Sequence, residues 1–309
     1  MMNSNSLPDL KYVGFEKEKL SLHLLLQMVG KIKLGLMPRK NHWWNITHYV
    51  NQQGLSTGAI PYNNGFSNFS IDFNFIKHQL EIATSEGGFE LLKLKNGLSV
   101  SYFYNDIFKV LKTLDIKVDI VDKPFDLGIQ NKFSNLSEVH HYHKDYAEKL
   151  WKSLVWINGV FNEFSGSFYG KTCPVHLYWH SMDLAVTRFS GKKAPKMPDA
   201  ARLSDKDAYS HECISFGFWP GDDTLKEPAF YSYTFPNPEG LEKQTLQPKT
   251  AIWEMESGSP MALLTYANLR SEKNPRQALL NFMESAYLAG AGLLGWSIEA
   301  LKVPKLTNL

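Results

Sequence analysis

The chain has 309 residues, of which 43% are hydrophobic, 21% charged and 13% aromatic, enough apolar material for a large core and too much for global disorder. Lys and Arg number 33 against 31 Asp and Glu, a net charge of +2; a duplex-binding protein needs a basic face, so no nucleic-acid partner is expected. Cys173 and Cys213 are the only cysteines, too few for a disulfide framework, which points to a reducing, cytoplasmic setting.

Met1–Leu10 has neither a basic start nor an apolar run, so no signal peptide is expected. Leu20–Met37 is the most apolar stretch but carries His23, Gln27, Lys31 and Lys33. That makes a poor bilayer span, and no membrane partner is expected. Within it Leu22, Leu25, Val29, Ile32 and Leu36 recur at steps of three and four and predict an amphipathic helix. The aromatic, β-branched run His42–Val50 reads as a strand. Ser70–Phe75 and Leu80–Thr84 read as a hairpin. A second helix follows Ser99, placed as its cap, through Phe103, Ile107, Val110, Leu111 and Leu114. Asp122–Lys144 has no period and mixes Pro, Gly, Asn, Ser and His, which sets a boundary: residues 1–121, an irregular connection 122–144, and residues 145–309.

The third helix shows Tyr146, Leu150, Leu154, Ile157, Phe161 and Phe164. Strands are expected at Val175–Phe189, His211–Trp219, Ala229–Phe235, Ala251–Glu256 and Met261–Tyr266, with Ser257–Pro260 as a turn. Lys192–Asp207 is an irregular loop long enough to act as a lid. A fourth helix opens on Asn274 as cap and Pro275 at the first helical position. Laid over each other without a gap, the halves match His42 with His176, Ser56 with Ser190 and Pro61 with Pro195. The matching order of elements predicts an α+β fold of two similar halves, each an antiparallel sheet with helices on one face.

The densest chemistry lies in Cys173-Pro-Val-His176-Leu-Tyr-Trp-His180-Ser-Met-Asp183 through Arg188, and in Tyr209-Ser-His211-Glu212-Cys213 ahead of Trp219. Strand alternation puts His176, Tyr178, His180 and Arg188 on one face, and Tyr209, His211, Cys213, Ser215 and Trp219 together. Asp183 falls opposite unless a bulge re-aims it. In the functional reading His176 and His211 are acid/base residues, Asp183 or Glu212 orients a histidine, and Arg188 holds an anionic group. His42, Trp43, Trp179, Tyr209 and Trp219 would line the cleft. The same residues also suit a buried, mutually satisfied network. Cys173, His176, His211 and Cys213 offer a zinc-compatible donor set, although neither pair has C-x-x-C spacing. Gly290-Ala-Gly-Leu-Leu-Gly295 spells a dinucleotide fingerprint but follows a long helix where a strand is required.

Lys31 through Trp44, Cys173 through Gly191, Tyr209-Ser-His-Glu and Gly217-Phe-Trp-Pro-Gly221 together resemble a largely bacterial family catalogued as domain of unknown function 5996. The resemblance extends from about Leu7 to Trp296. His180 stands where the family pattern has a small residue such as Gly. The family carries no established activity, so the resemblance implies neither a cofactor nor a catalytic residue. Two functions fit the residues. One is a small-molecule-binding protein or enzyme using histidine acid/base chemistry on a small polar or anionic ligand in an aromatic-lined cleft. The other is a non-catalytic interaction protein whose His and Arg motifs stabilise the fold.

Overall fold

The computed structural model describes residues 6–256 and 258–304; Met1–Asn5 of the N-terminal tail and Ser257 of the expected turn lie outside the described residues. Helix α1 runs Glu16–Leu36, and from Ser21 to Lys33 every residue except Lys31 is buried. The helix is therefore enclosed all round, where its spacing predicted one buried face. It packs against α2 (Val100–Thr113) and α3 (Lys144–Gly166). The irregular 122–144 segment closes over it through Gln27, whose amide donates to the Phe125 carbonyl at 2.9 Å and accepts from the Phe125 N–H at 2.7 Å. The expected caps are in place: Ser99 accepts from the Tyr102 N–H, and Asn274 from the Gln277 N–H at the start of the C-terminal helix Pro275–Leu293.

The first sheet contains β1 (Tyr49–Val50), β2 (Gly54–Ser56), β3 (Ile60–Tyr62), β4 (Ser67–Asn74), β5 (Gln79–Thr84) and β6 (Phe89–Lys93). All pairs are antiparallel, in the order β1-β2-β4-β5-β6 with β3 also on β4. The second contains β7 (His176–Tyr178), β8 (Asp183–Lys193), β9 (His211–Trp219), β10 (Ala229–Phe235), β11 (Ile252–Glu256) and β12 (Ser259–Thr265). Its order is β11-β12-β10-β9-β8-β7, again antiparallel. Short helices α4 (Leu203–Ala208) and α5 (Tyr266–Ser271) precede α6 (Pro275–Leu293). The fold is α+β. His48 and Leu177 exchange both backbone hydrogen bonds at 2.8 Å, which joins the two sheets edge to edge over one continuous core.

The two histidines that the gapless overlay matched sit in unlike elements: His42 lies in a 3-10 turn and His176 opens a strand.

Two predicted strands are differently built. In His42–Val50 only the end is extended, and Asn41–Trp43 forms a 3-10 turn with His42 and Trp43 at φ 57° and 61°. Tertiary contacts hold this left-handed pair. The His42 Nδ1–H donates to the Ala208 carbonyl at 2.9 Å and the Trp43 Nε1–H to the Ser204 carbonyl at 3.0 Å. Val175–Phe189 is a hairpin rather than one strand: the Met182 N–H closes on the Tyr178 carbonyl at 2.8 Å, with Met182 at φ 64°. After the turn the parity of the alternation reverses. Tyr178 pairs with Asp183 and His176 with Ala185, so Asp183 shares the face of Tyr178 and Arg188 takes the other.

Candidate functional site

The second sheet has unlike faces. On one, Val186, Arg188, Ile214 and Phe216 meet α3 and α6, with Phe164 edge-on to Phe216 at 4.8 Å. The other carries Tyr178, Asp183, Tyr231 and Tyr233 above a floor of small residues, Ala185, Ser215 and Gly217. The floor is buried, whereas the tyrosines keep partial solvent access. A Cβ on Gly217 would lie 2.2 Å from the Tyr231 ring, so the phenol rests directly on the glycine backbone. Tyr231 and Tyr233 stack with only 8° between their planes.

The hydroxyls of this layer are directed. Tyr231 donates to Asp183 Oδ2 at 2.5 Å, and Ser181 donates to Asp183 Oδ1. Tyr209 donates to Tyr233 at 3.2 Å, and Tyr178 to the His42 carbonyl at 3.1 Å. Burial pushes the phenols of Tyr178, Tyr231 and Tyr233 well above their ordinary value; the Asp183 charge adds to this at Tyr231. They stay protonated donors. Asp183 itself is 8% exposed and, among the described residues, makes no ion pair. His180, half-buried, stands 5.4 Å from the Tyr178 ring; burial lowers its pKa while Asp183 pulls the other way.

The sequence-predicted residues divide among several places. Asp183 and Tyr209 belong to the tyrosine layer, and Trp219 ends β9 on the same face. His176 shares that face but is 1% exposed, and neither ring nitrogen has a hydrogen-bond partner. Burial, with Lys33 adding repulsion, drives its pKa to about 3, so it is neutral. Arg188 is 2% exposed beneath α3 and α6. It donates to the Phe164 carbonyl at 2.6 Å and Ser167 Oγ at 2.8 Å, reaches Glu284 at 3.5 Å and lies over the Phe164 ring. It does not face the tyrosines. Glu212 also points to the helix side, accepting from Ser190 at 2.7 Å. Trp179 is buried against Gly30 of α1. His42 and Trp43 hold α4, and His211 lies 5.6 Å from the His42 ring.

Cys173, His176, His211 and Cys213 do not assemble as ligands: among the described residues no three His, Cys, Asp or Glu side chains converge to hold a metal. Cys173 Sγ accepts from the Thr187 N–H, and burial pushes the two thiols up to about 11 and about 12, away from the thiolate a zinc ligand requires. Sequence reasoning missed Tyr231 and Tyr233, although the alternation Tyr231-Ser-Tyr233 in a clear strand carried the signal. It also missed Lys33, buried and donating to the Thr47 and Thr57 carbonyls with its pKa lowered to about 8 by burial. Two surface cavities lie elsewhere. One of about 790 Å³ is lined in part by Asn64, Glu86 and Asp115, the other, of about 220 Å³, by Tyr12, Lys226 and Arg270.

Fold and site together define an α+β protein of two edge-joined antiparallel sheets, bearing a hydroxyl-rich aromatic layer on the face of the second that is turned away from α3 and α6. The chain belongs to the family of unknown function DUF5996, whose model matches residues 7–303. No curated protein and no solved structure matches it. No helix among the described residues is long and apolar enough to cross a membrane.

Proposed function

We propose that the protein binds a small organic cation, an amine or quaternary ammonium, on the tyrosine layer with Asp183 as its counter-charge. One observation carries the reading: a nearly buried carboxylate has two hydroxyl donors, no cationic partner among the described residues, and four partly exposed tyrosines around it. Burying a carboxylate without a counter-charge is costly, and a ligand cation would offset that cost. Phenol faces add cation–π attraction of roughly 0.5–2 kcal/mol. Because Arg188 is turned to the helices, this end favours a cation over an anion. His180, beside Tyr178 and Asp183, is the titratable group best positioned for proton transfer with a bound amine. The buried, free thiols suit a reducing compartment, and we assign the protein to the cytoplasm.

The test is thermal unfolding and calorimetry with tetramethylammonium, alkylamines and diamines, against carboxylates and sugars. A cation at 100 times its dissociation constant stabilises by about 2.7 kcal/mol, a shift of several degrees. The effect is expected to vanish in Asp183→Asn and weaken in Tyr231→Phe. A response to sugars alone, or to nothing in the panel, overturns the reading.

A further inference from the structure

At the other end of the same sheet face lies a cluster of basic groups that the tyrosine layer does not use. The Phe189 N–H bonds the Lys171 carbonyl at 3.0 Å, fixing Lys171 beside β8. Its ammonium lies 5.3 Å from the Trp44 ring centre and 5.2 Å from that of Phe189, 3.4 Å from His42 Nε2. Since His42 Nδ1 donates its proton to the Ala208 carbonyl, Nε2 is the acceptor and Lys171 the donor. One ammonium proton is so used; the others are free to point outward. His211 stands 5.6 Å from His42, and Lys193 is opposite His211 in the β8–β9 ladder.

Two acids lie nearby: Asp207 pairs with Arg39 through one oxygen while its buried Oδ2 has no hydrogen-bond partner, and Glu212 accepts from Ser190 on the helix side. Lys171 therefore rests on a neutral imidazole, and among the described residues no carboxylate balances it. His42 reaches its place beneath Lys171 only through the left-handed backbone of His42 and Trp43, a conformation that costs on the order of 1–3 kcal/mol per residue. Such strain is retained where the surrounding structure fixes it, and it commonly marks functional positions.

We propose that Lys171, Lys193 and His211, backed by His42, form an oxyanion site for the phosphate or carboxylate group of a small solute. Lys171 supplies two charge-assisted hydrogen bonds and Lys193 a further donor. His211 gives its Nδ1 proton to Ser210 Oγ, whose own proton goes to the Asp207 carbonyl, so it donates to the anion from Nε2 as an imidazolium. Trp44 and Phe189 exclude water from one side. The site shares no residue with the Asp183 end, so the two stand or fall separately.

The test is an imidazole ¹H–¹⁵N correlation spectrum of the full chain, titrated with inorganic phosphate at constant ionic strength and, in parallel, with acetate. Saturable shifts of the His42 and His211 rings are expected. Lys171→Met should weaken them about tenfold or more, and Lys193→Met by less. Both residues are solvent-exposed, so the fold should survive. Saturation by phosphate alone makes the ligand a phosphate compound; saturation by both makes it a carboxylate or phosphate compound. A linear drift shared with chloride, or saturation unaltered by Lys171→Met, overturns the proposal. Asp183→Asn should leave the phosphate titration unchanged while removing amine binding, which separates failure of one site from failure of the other.

Discussion

The Tyr231 ring lies across Gly217 on the neighbouring strand, and from that position its hydroxyl reaches Asp183 at 2.5 Å. Any side chain at 217 would occupy the space of the ring. Gly217→Ala should therefore swing the phenol away and break its bond to Asp183. Overpacking of this kind costs about 1–3 kcal/mol, at the lower end here because a side-chain tip can move. Amine binding should fall with it. Denaturant titration and calorimetry give the two readings; full binding in Gly217→Ala would show that Tyr231 does not set the site.

Arg188 provides a second discrimination, because sequence alternation grouped it with His176 and the structure separates them. Its guanidinium satisfies the Phe164 carbonyl and Ser167 and stacks on Phe164, Phe168 and Tyr287. Arg188→Met should leave those acceptors and Glu284 without their donor and lower stability by about 3 kcal/mol. Ligand affinity of the folded fraction should be unchanged. An affinity loss without a stability loss would return Arg188 to the binding face.

The difference turns on four residues, Trp179-His-Ser-Met182. They contain no Gly, Pro or Asn and only Ser181 of the turn-favouring types, so the sequence raised a bulge that could re-aim Asp183 but not a full turn, and Met182 adopts a left-handed φ. One missed turn reversed the parity of everything after it. Where local chemistry is self-sufficient the sequence was legible: β9 and β10 have the expected bounds, and Ser99 and Asn274 cap the helices predicted for them. The burial of α1 was not legible, since the residues that close its outer face, Phe125 and Trp179, come from distant segments. The candidate site was half legible. Asp183 and Tyr209 were singled out, but the partners that give them meaning, Tyr231 and Tyr233, follow only from strand pairing.

Acid should destabilise the fold through three histidines. Burial is the main cause that holds His23, His48 and His176 at about 3, with Lys19 adding repulsion at the first and Lys33 at the other two. The unfolded chain takes up a proton at each near 6.5, whereas the folded chain does not. Stability is thus undiminished above pH 6.5 and is lost as pH falls from there toward 3, at up to about 1.4 kcal/mol per unit for each histidine. Unfolding free energies from urea titrations at pH 7.5 and 5.0 should differ by several kcal/mol, and His48→Leu should remove about a third of the difference. Equal midpoints would mean these rings are charged or hydrated in the fold.

The Lys192–Asp207 loop, long enough to act as a lid, is held down at its far end. Trp43 Nε1 donates to Ser204, His42 Nδ1 to Ala208, and Arg39 pairs with Asp207, so α4 is fastened to the strained turn and Tyr209 is delivered to Tyr233. Trp43→Phe removes one fastening while keeping an aromatic ring. Its global cost should be small, about 1 kcal/mol, the net worth of one hydrogen bond. Its local effect should be larger. Lys196 and Arg202 are exposed on the segment, and trypsin should cut there several-fold faster in Trp43→Phe than in the parent. Because Tyr209 follows directly on α4, the same variant should weaken amine binding without touching Asp183. Faster cleavage with unchanged binding would show that the fastened segment and the tyrosine layer are independent, and Tyr209 would then be a bystander.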